Sequence, residues 1–238
     1  MMNDYDVLSE DYNKVHEKPD LKYSLSPAFL KIAGDLDGKT VIDVGCGDGF
    51  FTRQFAKKAK KVIGIDNSSE QIAKAKTHAT ENLEYFLADM INYDYPKSDL
   101  LSAPFVLNYF ETQPDLAAFL KKLYASLNKR GSIISIVDMP SSEFHDFKKY
   151  GSVKKLSRGL VEGSGLTIDL YDKQELLVTL HSFYHTKETF EAALTEAGFK
   201  EIKWHKPIVS DEGIEKFGED YWSEYLANCD VAYFTAIK

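Results

Sequence analysis

Three carboxylates stand where strands are expected to end: Asp43, Asp66 and Asp89. Beside the first lie Gly45, Gly47 and Gly49, which interrupt the apolar run Val41-Ile-Asp-Val44. Glycines at alternate positions let a backbone bend sharply and approach a ligand, because no Cβ intervenes. A turn of this kind, between a strand end and a helix N-terminus, is where α/β folds hold nucleotide-like ligands. Asp66 falls about 20 residues beyond the turn, the spacing at which a carboxylate reaches both hydroxyls of a ribose. Asp89, on the same edge, is placed to accept from an exocyclic adenine amine. Asp43 is placed to hold a ligand ammonium through water or an N–H group. Together these acids suit a ligand that carries an adenosine and a positive charge, and they would repel a diphosphate. Each alone is also an ordinary turn or helix-capping aspartate.

The glycine spacing separates two cofactors. A dinucleotide site uses G-x-G-x-x-G, with its last glycine inside the helix start. Here Gly49 comes one place early and Phe50-Phe51 follow, which disfavours a nicotinamide oxidoreductase.

The elements that must position these residues follow from periodicity. Thr40–Val44 reads as a strand, and the helix after the glycines carries Phe51, Phe55 and Ala59 on one face. Lys61–Ile65 is a second strand, followed by Ser68-Ser-Glu-Gln71, a capping-box pattern in which the Gln71 side chain would return to the helix start. Leu83–Leu87 and Asp99–Ala103 are the third and fourth strands. Pro114 opens a helix with Leu116, Phe119, Leu120, Leu123 and Leu127 on its apolar face, and Ser132–Val137 is the fifth strand. This alternation predicts right-handed crossovers and a mostly parallel sheet. Before it, residues 5–16 and 28–33 read as short helices, with Pro19 and Pro27 bracketing a polar link. After it, residues 140–165 show no period. Leu166–Leu170 and Glu175–Tyr184 then alternate as a hairpin with Leu176, Val178 and Leu180 on one face. Thr186 caps a helix ending at Gly198. Lys200–His205 and Val231–Ile237 are late strands around an aromatic helix near Tyr221, Trp222 and Tyr225.

The expected fold is therefore α/β: a Rossmann-like, doubly wound, mostly parallel seven-stranded sheet whose last strand is antiparallel. An N-terminal helical cap (1–38) precedes a cofactor-binding core (39–138), a β-hairpin insertion on the substrate side (139–185) and a C-terminal completion of the sheet (186–238), all one domain. The formal net charge of -8, with arginine only at Arg53, Arg130 and Arg158, argues against a nucleic-acid partner. No apolar run is long enough to span a membrane, and the first residues show no signal-peptide pattern. Cys46 and Cys229 have no metal-site or disulfide spacing. A cytoplasmic protein with reduced thiols and no metal is expected.

The set of motifs resembles class I S-adenosylmethionine-dependent methyltransferases. Val41–Gly49 resembles their first motif, Asp66 their ribose-binding acid and Ala88-Asp89-Met90 their adenine-contacting segment. Asp99–Tyr109 resembles the fourth strand and the loop beside the methionine moiety and the substrate. Leu127-Asn-Lys-Arg-Gly131 replaces the family's usual Leu-x-Pro-Gly-Gly turn. Lys149-Tyr-Gly151, Ser182-Phe-Tyr184, Trp204-His205, Tyr221-Trp222 and Phe105-Val-Leu-Asn-Tyr109 further resemble the toxoflavin N-methyltransferase-like branch, which methylates a planar heterocycle. The resemblance implies S-adenosyl-L-methionine as cofactor, S-adenosyl-L-homocysteine as product, and a small-molecule acceptor. It places Tyr12, Asp43, Gly45, Cys46, Gly47, Asp66, Asn67, Ala88, Asp89, Met90, Ala103 and Phe105 at the cofactor.

Methyl transfer needs chiefly alignment of an acceptor lone pair with the S–CH3 bond, and a base only if the acceptor must lose a proton. His145, His181 and His185 are candidate bases, and Tyr109 and Tyr184 candidate positioning groups. His181 shares a strand face with Thr179 and Phe183, toward a pocket. For each histidine the plainer reading is a surface or hairpin residue. The aromatics Tyr5, Tyr12, Tyr23, Phe144, Phe147, Tyr150 and Phe183 form either a lid over a flat substrate or packing for the insertion. A binder of the same cofactor without turnover is the competing function. A nucleic-acid base methyltransferase is disfavoured because Ser102-Ala-Pro-Phe105 is not an (Asp/Asn)-Pro-Pro-(Tyr/Phe) element.

Overall fold

The computed structural model describes residues 3–238. Seven strands build the main sheet: β1 (Thr40–Val44), β2 (Lys61–Asp66), β3 (Leu83–Leu87), β4 (Ser98–Ser102), β5 (Leu127–Asp138), β10 (Lys200–His205) and β11 (Val231–Ile237). They lie in the order β10-β11-β5-β4-β1-β2-β3. The first five pair in parallel, and β11 is antiparallel to both β5 and β10. This is the expected mixed sheet. Chain order reverses between β4 and β1, and the crevice outside the carboxyl ends at such a reversal is where open α/β sheets bind ligands.

Alternation along the strands explains the two layers. Val41, Val62, Ile134 and Ile136 face one side, packing with Phe51 and Phe55 of α3 (Phe50–Ala56) and Ile72 of α4 (Ser69–Lys76). Ile42, Ile63, Ile133 and Val137 face the other, under α5 (Gln113–Ser126) and α6 (Lys187–Ala197). The turn that replaces Leu-x-Pro-Gly-Gly does not end before β5. It belongs to that strand as an irregularity between Ser98 and Leu100 of the partner, with Arg130 at φ 65°.

Two expectations are corrected. The link between Pro19 and Pro27 is helical: a π turn over Leu21–Leu25 runs straight into α2 (Ser26–Ala33). The wide turn lets Ser26 N–H reach Leu21 O just before Pro27, which has no N–H to give. The insertion, expected as one hairpin, is a four-stranded antiparallel sheet of β6 (Phe144–Phe147), β7 (Ser152–Leu156), β8 (Gly165–Asp172) and β9 (Glu175–Phe183). The first two strands are short and interrupted by a turn through Gly151, φ 116°, so they show no period. An irregularity at Leu170/Tyr171 also turns Leu176 outward, leaving Val178, Leu180 and Ser182 on the buried face.

The cap begins with α1 (Tyr5–Asn13), which packs on α4 and β9. Completing the chain are α7 (Asp211–Phe217) and α8 (Glu219–Ala227), whose Trp222 and Tyr225 join Tyr23, Phe147 and Tyr150 in a buried aromatic cluster. Among the described residues, no helix is long and apolar enough to cross a membrane.

Candidate active site

Two cavities meet at the carboxyl edge of β1 and β4. The outer one, about 340 Å³, is lined by Gly45, Gly47, Asp66, Asn67, Ala88, Asp89 and Met90, with Asn3, Tyr5 and Tyr12 from the cap. Gly45 and Gly47 hold φ of 65° and 53°, the left-handed region that glycine enters without penalty. A Cβ at Gly45 would press on Val106 Cγ2 at 2.7 Å. Asp66 accepts from the N–H groups of Gly47 and Ser68, each at 2.9 Å, so the ribose-spaced acid also fixes the glycine turn. Burial raises its carboxyl above the ordinary range, and those backbone N–H groups oppose the shift.

Several expected residues stand elsewhere. Asp43 is buried and does not line the cavity. Its oxygens are taken by Thr52 Oγ1 at 2.7 Å and Ser102 Oγ at 2.6 Å, tying β1 to α3 and β4. Burial pushes its carboxyl up to about 6 against those two hydrogen bonds. Cys46 and Ala103 are buried behind the turn and the β4 loop, outside the lining. Phe105 does line it, at φ 58°, a strained conformation for a residue with a Cβ.

Gln71 is the residue the sequence misassigned. Ser68 Oγ accepts from Gln71 N–H, as a cap should, but the Gln71 side chain does not return to the helix start. It is fully buried, faces the outer cavity, and neither Oε1 nor Nε2 has a partner. The Ser68 N–H that it would have met is taken by Asp66, and Asp6 of α1 adds a carboxylate at the α4 N-terminus that accepts from Ser68 Oγ, Ser69 Oγ and Glu70 N–H at 2.6, 3.1 and 3.1 Å. Those bonds hold the Asp6 carboxyl below its ordinary value.

The inner cavity, about 80 Å³, lies between the cap, the β5 end and the buried face of the insertion sheet. Tyr5, Tyr12, Phe105 and Tyr109 line both cavities and form a collar between them. The Tyr109 hydroxyl bonds Tyr5 Oη and accepts from Asn3 Nδ2 at 3.3 Å. Burial pushes its phenol up to about 12, so near neutral pH it is a hydroxyl and not a base. Beyond the collar, aliphatic walls from Leu21, Leu25, Ile168, Leu170 and Leu180 enclose Lys18, Asp20, Asp138, Lys154 and Ser182. Lys154 Nζ contacts Asp138 Oδ1 at 2.7 Å and Asp230 Oδ2 at 3.0 Å; Lys18 Nζ sits 3.5 Å from Asp20 Oδ1. Burial would lower the Lys154 ammonium, but Asp138 and Asp230 raise it overall. Of these five, Ser182 lies in the Ser182-Phe-Tyr184 motif, but Lys18, Asp20, Asp138 and Lys154 did not stand out in the sequence, because partners such as Lys154 and Asp230 are 76 positions apart.

The candidate bases are not at the collar. His181 is exposed on the outer face of β9, where its backbone pairs with the Asn3 side chain. Alternation places it opposite Leu180 and Ser182, so the expected pocket lies on the other face. His185 is buried between Glu162 and the carbonyl of Phe110, at 2.6 Å from the latter, and ties the loop before α6. His145 is buried against Phe147, and burial lowers its pKa. Neither it nor Tyr184 lines either of the two cavities. Of the weighed aromatics, Tyr5 and Tyr12 roof the site, while Tyr23, Phe147 and Tyr150 are packing. Phe144 is exposed, and Phe183 lies outside both linings.

The fold is that of S-adenosylmethionine-dependent methyltransferases. Solved structures described so, from Mesorhizobium loti and (as a putative one) Listeria monocytogenes, superpose with TM-scores of 0.66 and 0.63. They are 18% and 20% identical, covering 94% and 98% of this chain and 100% and 98% of theirs. Residues 41–131 match the profile of the methyltransferase-domain family. Among curated relatives, carboxy-S-adenosyl-L-methionine synthase of Wolinella succinogenes is 26% identical over 77% of this chain and 78% of its own. Ubiquinone biosynthesis O-methyltransferase of Sodalis glossinidius is 43% identical over a shorter stretch, 23% of this chain and 22% of its own.

Proposed function

We propose that the protein is an S-adenosylmethionine-dependent methyltransferase acting on a small molecule, in the class EC 2.1.1. The observation that carries this reading is the pair of cavities sharing one aromatic collar at the β1/β4 edge. A protein that only bound the cofactor would need no second cavity on the far side of the collar. The residues present fit the cofactor: Asp66 for the ribose, Ala88-Asp89-Met90 for the adenine, Gly45 and Gly47 for close backbone approach. Gln71 adds a buried donor and acceptor that nothing else satisfies, and such orphans are costly unless a ligand pairs them.

When bound, S-adenosyl-L-methionine supplies a methyl group on a sulfonium that carries its own leaving group. The chain's part is orientation. The collar rings exclude water, and aromatic rings of this kind attract a positive charge over their faces. Tyr109, held by Tyr5 and Asn3 and kept protonated, positions the acceptor by hydrogen bonding. Alignment of this kind supplies about 7–11 kcal/mol of a transfer barrier. The likeness to the toxoflavin N-methyltransferase-like branch favours nitrogen of a planar heterocycle as the methylated atom. Of the residues carrying that likeness, Tyr150 and Trp222 belong to the aromatic cluster and not to the cavity, so the support for a heterocycle comes from the collar.

The test is calorimetric titration with S-adenosyl-L-homocysteine. Wild type is expected to bind one equivalent, and Asp66→Ala to lose about 1–3 kcal/mol, about 5- to 150-fold in affinity. Equal affinity in a folded Asp66→Ala variant would remove Asp66 from the ribose site. Transfer of labelled methyl to small nitrogen heterocycles then checks turnover.

A further inference from the structure

We infer that the inner cavity is built for an acceptor bearing a basic amine, with Asp138 holding its N–H while the nitrogen lone pair faces the collar. This rests on the methyltransferase reading and adds the chemical class of the acceptor. Its first support is the charge of the wall. Lys18 and Asp20 form one mutually neutralising pair, whereas the single ammonium of Lys154 answers two carboxylates, Asp138 and Asp230. All these residues are at most 5% exposed. An uncompensated buried charge is costly unless something neutralises or hydrogen-bonds it. A cation or strong N–H donor does both.

The disposition of donors says where that partner sits. Lys154 Nζ faces Asp138 Oδ1, Asp230 Oδ2 and the Asp230 carbonyl, at 2.7, 3.0 and 3.1 Å, so its three N–H groups are spent within the chain. Asp230 is further engaged by Ser152 and does not line the cavity. Asp138 does line it, and pairs with Lys154 through only one of its oxygens. A second, independent sign of a ligand is Ser182 Oγ: 5% exposed, on the cavity wall and without a hydrogen-bond partner. An anionic acceptor would meet the surplus carboxylate, and a purely apolar one would leave both Asp138 and Ser182 unanswered. The cavity is far smaller than its neighbour, 80 against 340 Å³, which fits an acceptor much smaller than the cofactor.

In the transfer step the amine lone pair forms the new N–C bond as the C–S bond breaks and its electron pair passes to sulfur. The positive charge moves from sulfur to nitrogen, next to the Asp138 carboxylate, where it is stabilised more than in the ground state. Asp138 thus favours the product charge as well as the orientation.

The experiment uses the full chain with S-adenosyl-L-homocysteine bound, so that probes bind without reacting. Two size-matched sets are titrated: isobutylamine, isobutanol and isobutyrate; benzylamine, benzyl alcohol and benzoate. The amine of at least one set is expected to bind at least tenfold more tightly than its alcohol and acid. Asp138→Asn is expected to reduce that preference to within threefold while S-adenosyl-L-homocysteine affinity stays the same. Equal binding within each set, preference for the acids, or no probe binding overturns the amine assignment. Failure of S-adenosyl-L-homocysteine itself to bind overturns the methyltransferase reading instead. Asp138 pairs with a buried lysine; where its variant does not fold, the wild-type comparison decides the matter without it.

Discussion

At the scale of single residues, the acids divide into those facing the outer cavity and one that does not. Asp66 and Asp89 line it, whereas Asp43 spends both oxygens on Thr52 and Ser102. Asp43 should therefore appear in the pH dependence of folding. Burial raises its folded-state value to about 6 from an ordinary 3.8, so the native state binds the proton more tightly than the unfolded chain. Its contribution to stability is full below about pH 4 and is lost as pH rises through 6, in all about 3 kcal/mol at 1.36 kcal/mol per unit. Asp43→Asn, which cannot ionise, should lack this slope and gain on wild type by about that amount between pH 4 and 7. Urea unfolding across the range checks it, and parallel curves for both proteins would acquit Asp43. The same division explains what the sequence disclosed. Asp66 and the glycines were legible because strand end, turn and helix start are contiguous. Gln71 was not, since a capping pattern cannot reveal that Asp66 takes the Ser68 N–H and leaves the Gln71 side chain to the cavity.

Among elements, the parallel strands and their covering helices were legible from periods of two and 3.6, because each is buried against the same sheet along its length. The insertion was only half legible. β8 and β9 alternate over eight and nine residues, but β6 and β7 have four and five, too few for a period to stand out. What the sequence showed least was how tightly the glycine turn packs on β3. Gly49 holds φ 84°, and a Cβ there would meet Tyr85 Cζ at 2.8 Å. The Tyr85 ring cannot retreat, since a Cβ added at Gly64 would also touch it at 2.8 Å and the ring is 5% exposed. Gly49→Ala should cost about 1–3 kcal/mol by overpacking, and weaken S-adenosyl-L-homocysteine binding because Gly47 shares the turn. In a Tyr85→Leu background the same substitution should cost measurably less, the two sites being in contact. Thermal unfolding of the four proteins gives the coupling. Additive effects would mean that the left-handed backbone, and not Tyr85, sets the requirement for glycine.

For the whole molecule, the cap is the piece that joins the parallel sheet to the insertion. Asp6 binds the start of α4, Lys74 Nζ reaches Ser9 Oγ at 2.5 Å, Asn3 brackets the His181 backbone, and Tyr5 meets Tyr109. Tyr5 and Tyr12 of the same helix roof both cavities. A nine-residue helix is too short to hold itself in water, so these few polar contacts and the collar must keep it in place. Opening of α1 should then govern how fast the outer cavity empties. Asp6→Ala removes three bonds to the α4 terminus without touching either cavity wall. It should raise the dissociation rate of S-adenosyl-L-homocysteine several-fold and speed hydrogen exchange across α1. The amides of β1 and β2, held by the sheet, should stay as protected as in wild type, since local opening draws on local contacts. Stopped-flow displacement and exchange mass spectrometry read the two effects separately. An unchanged release rate with faster exchange in α1 would show that ligand escapes past a closed cap.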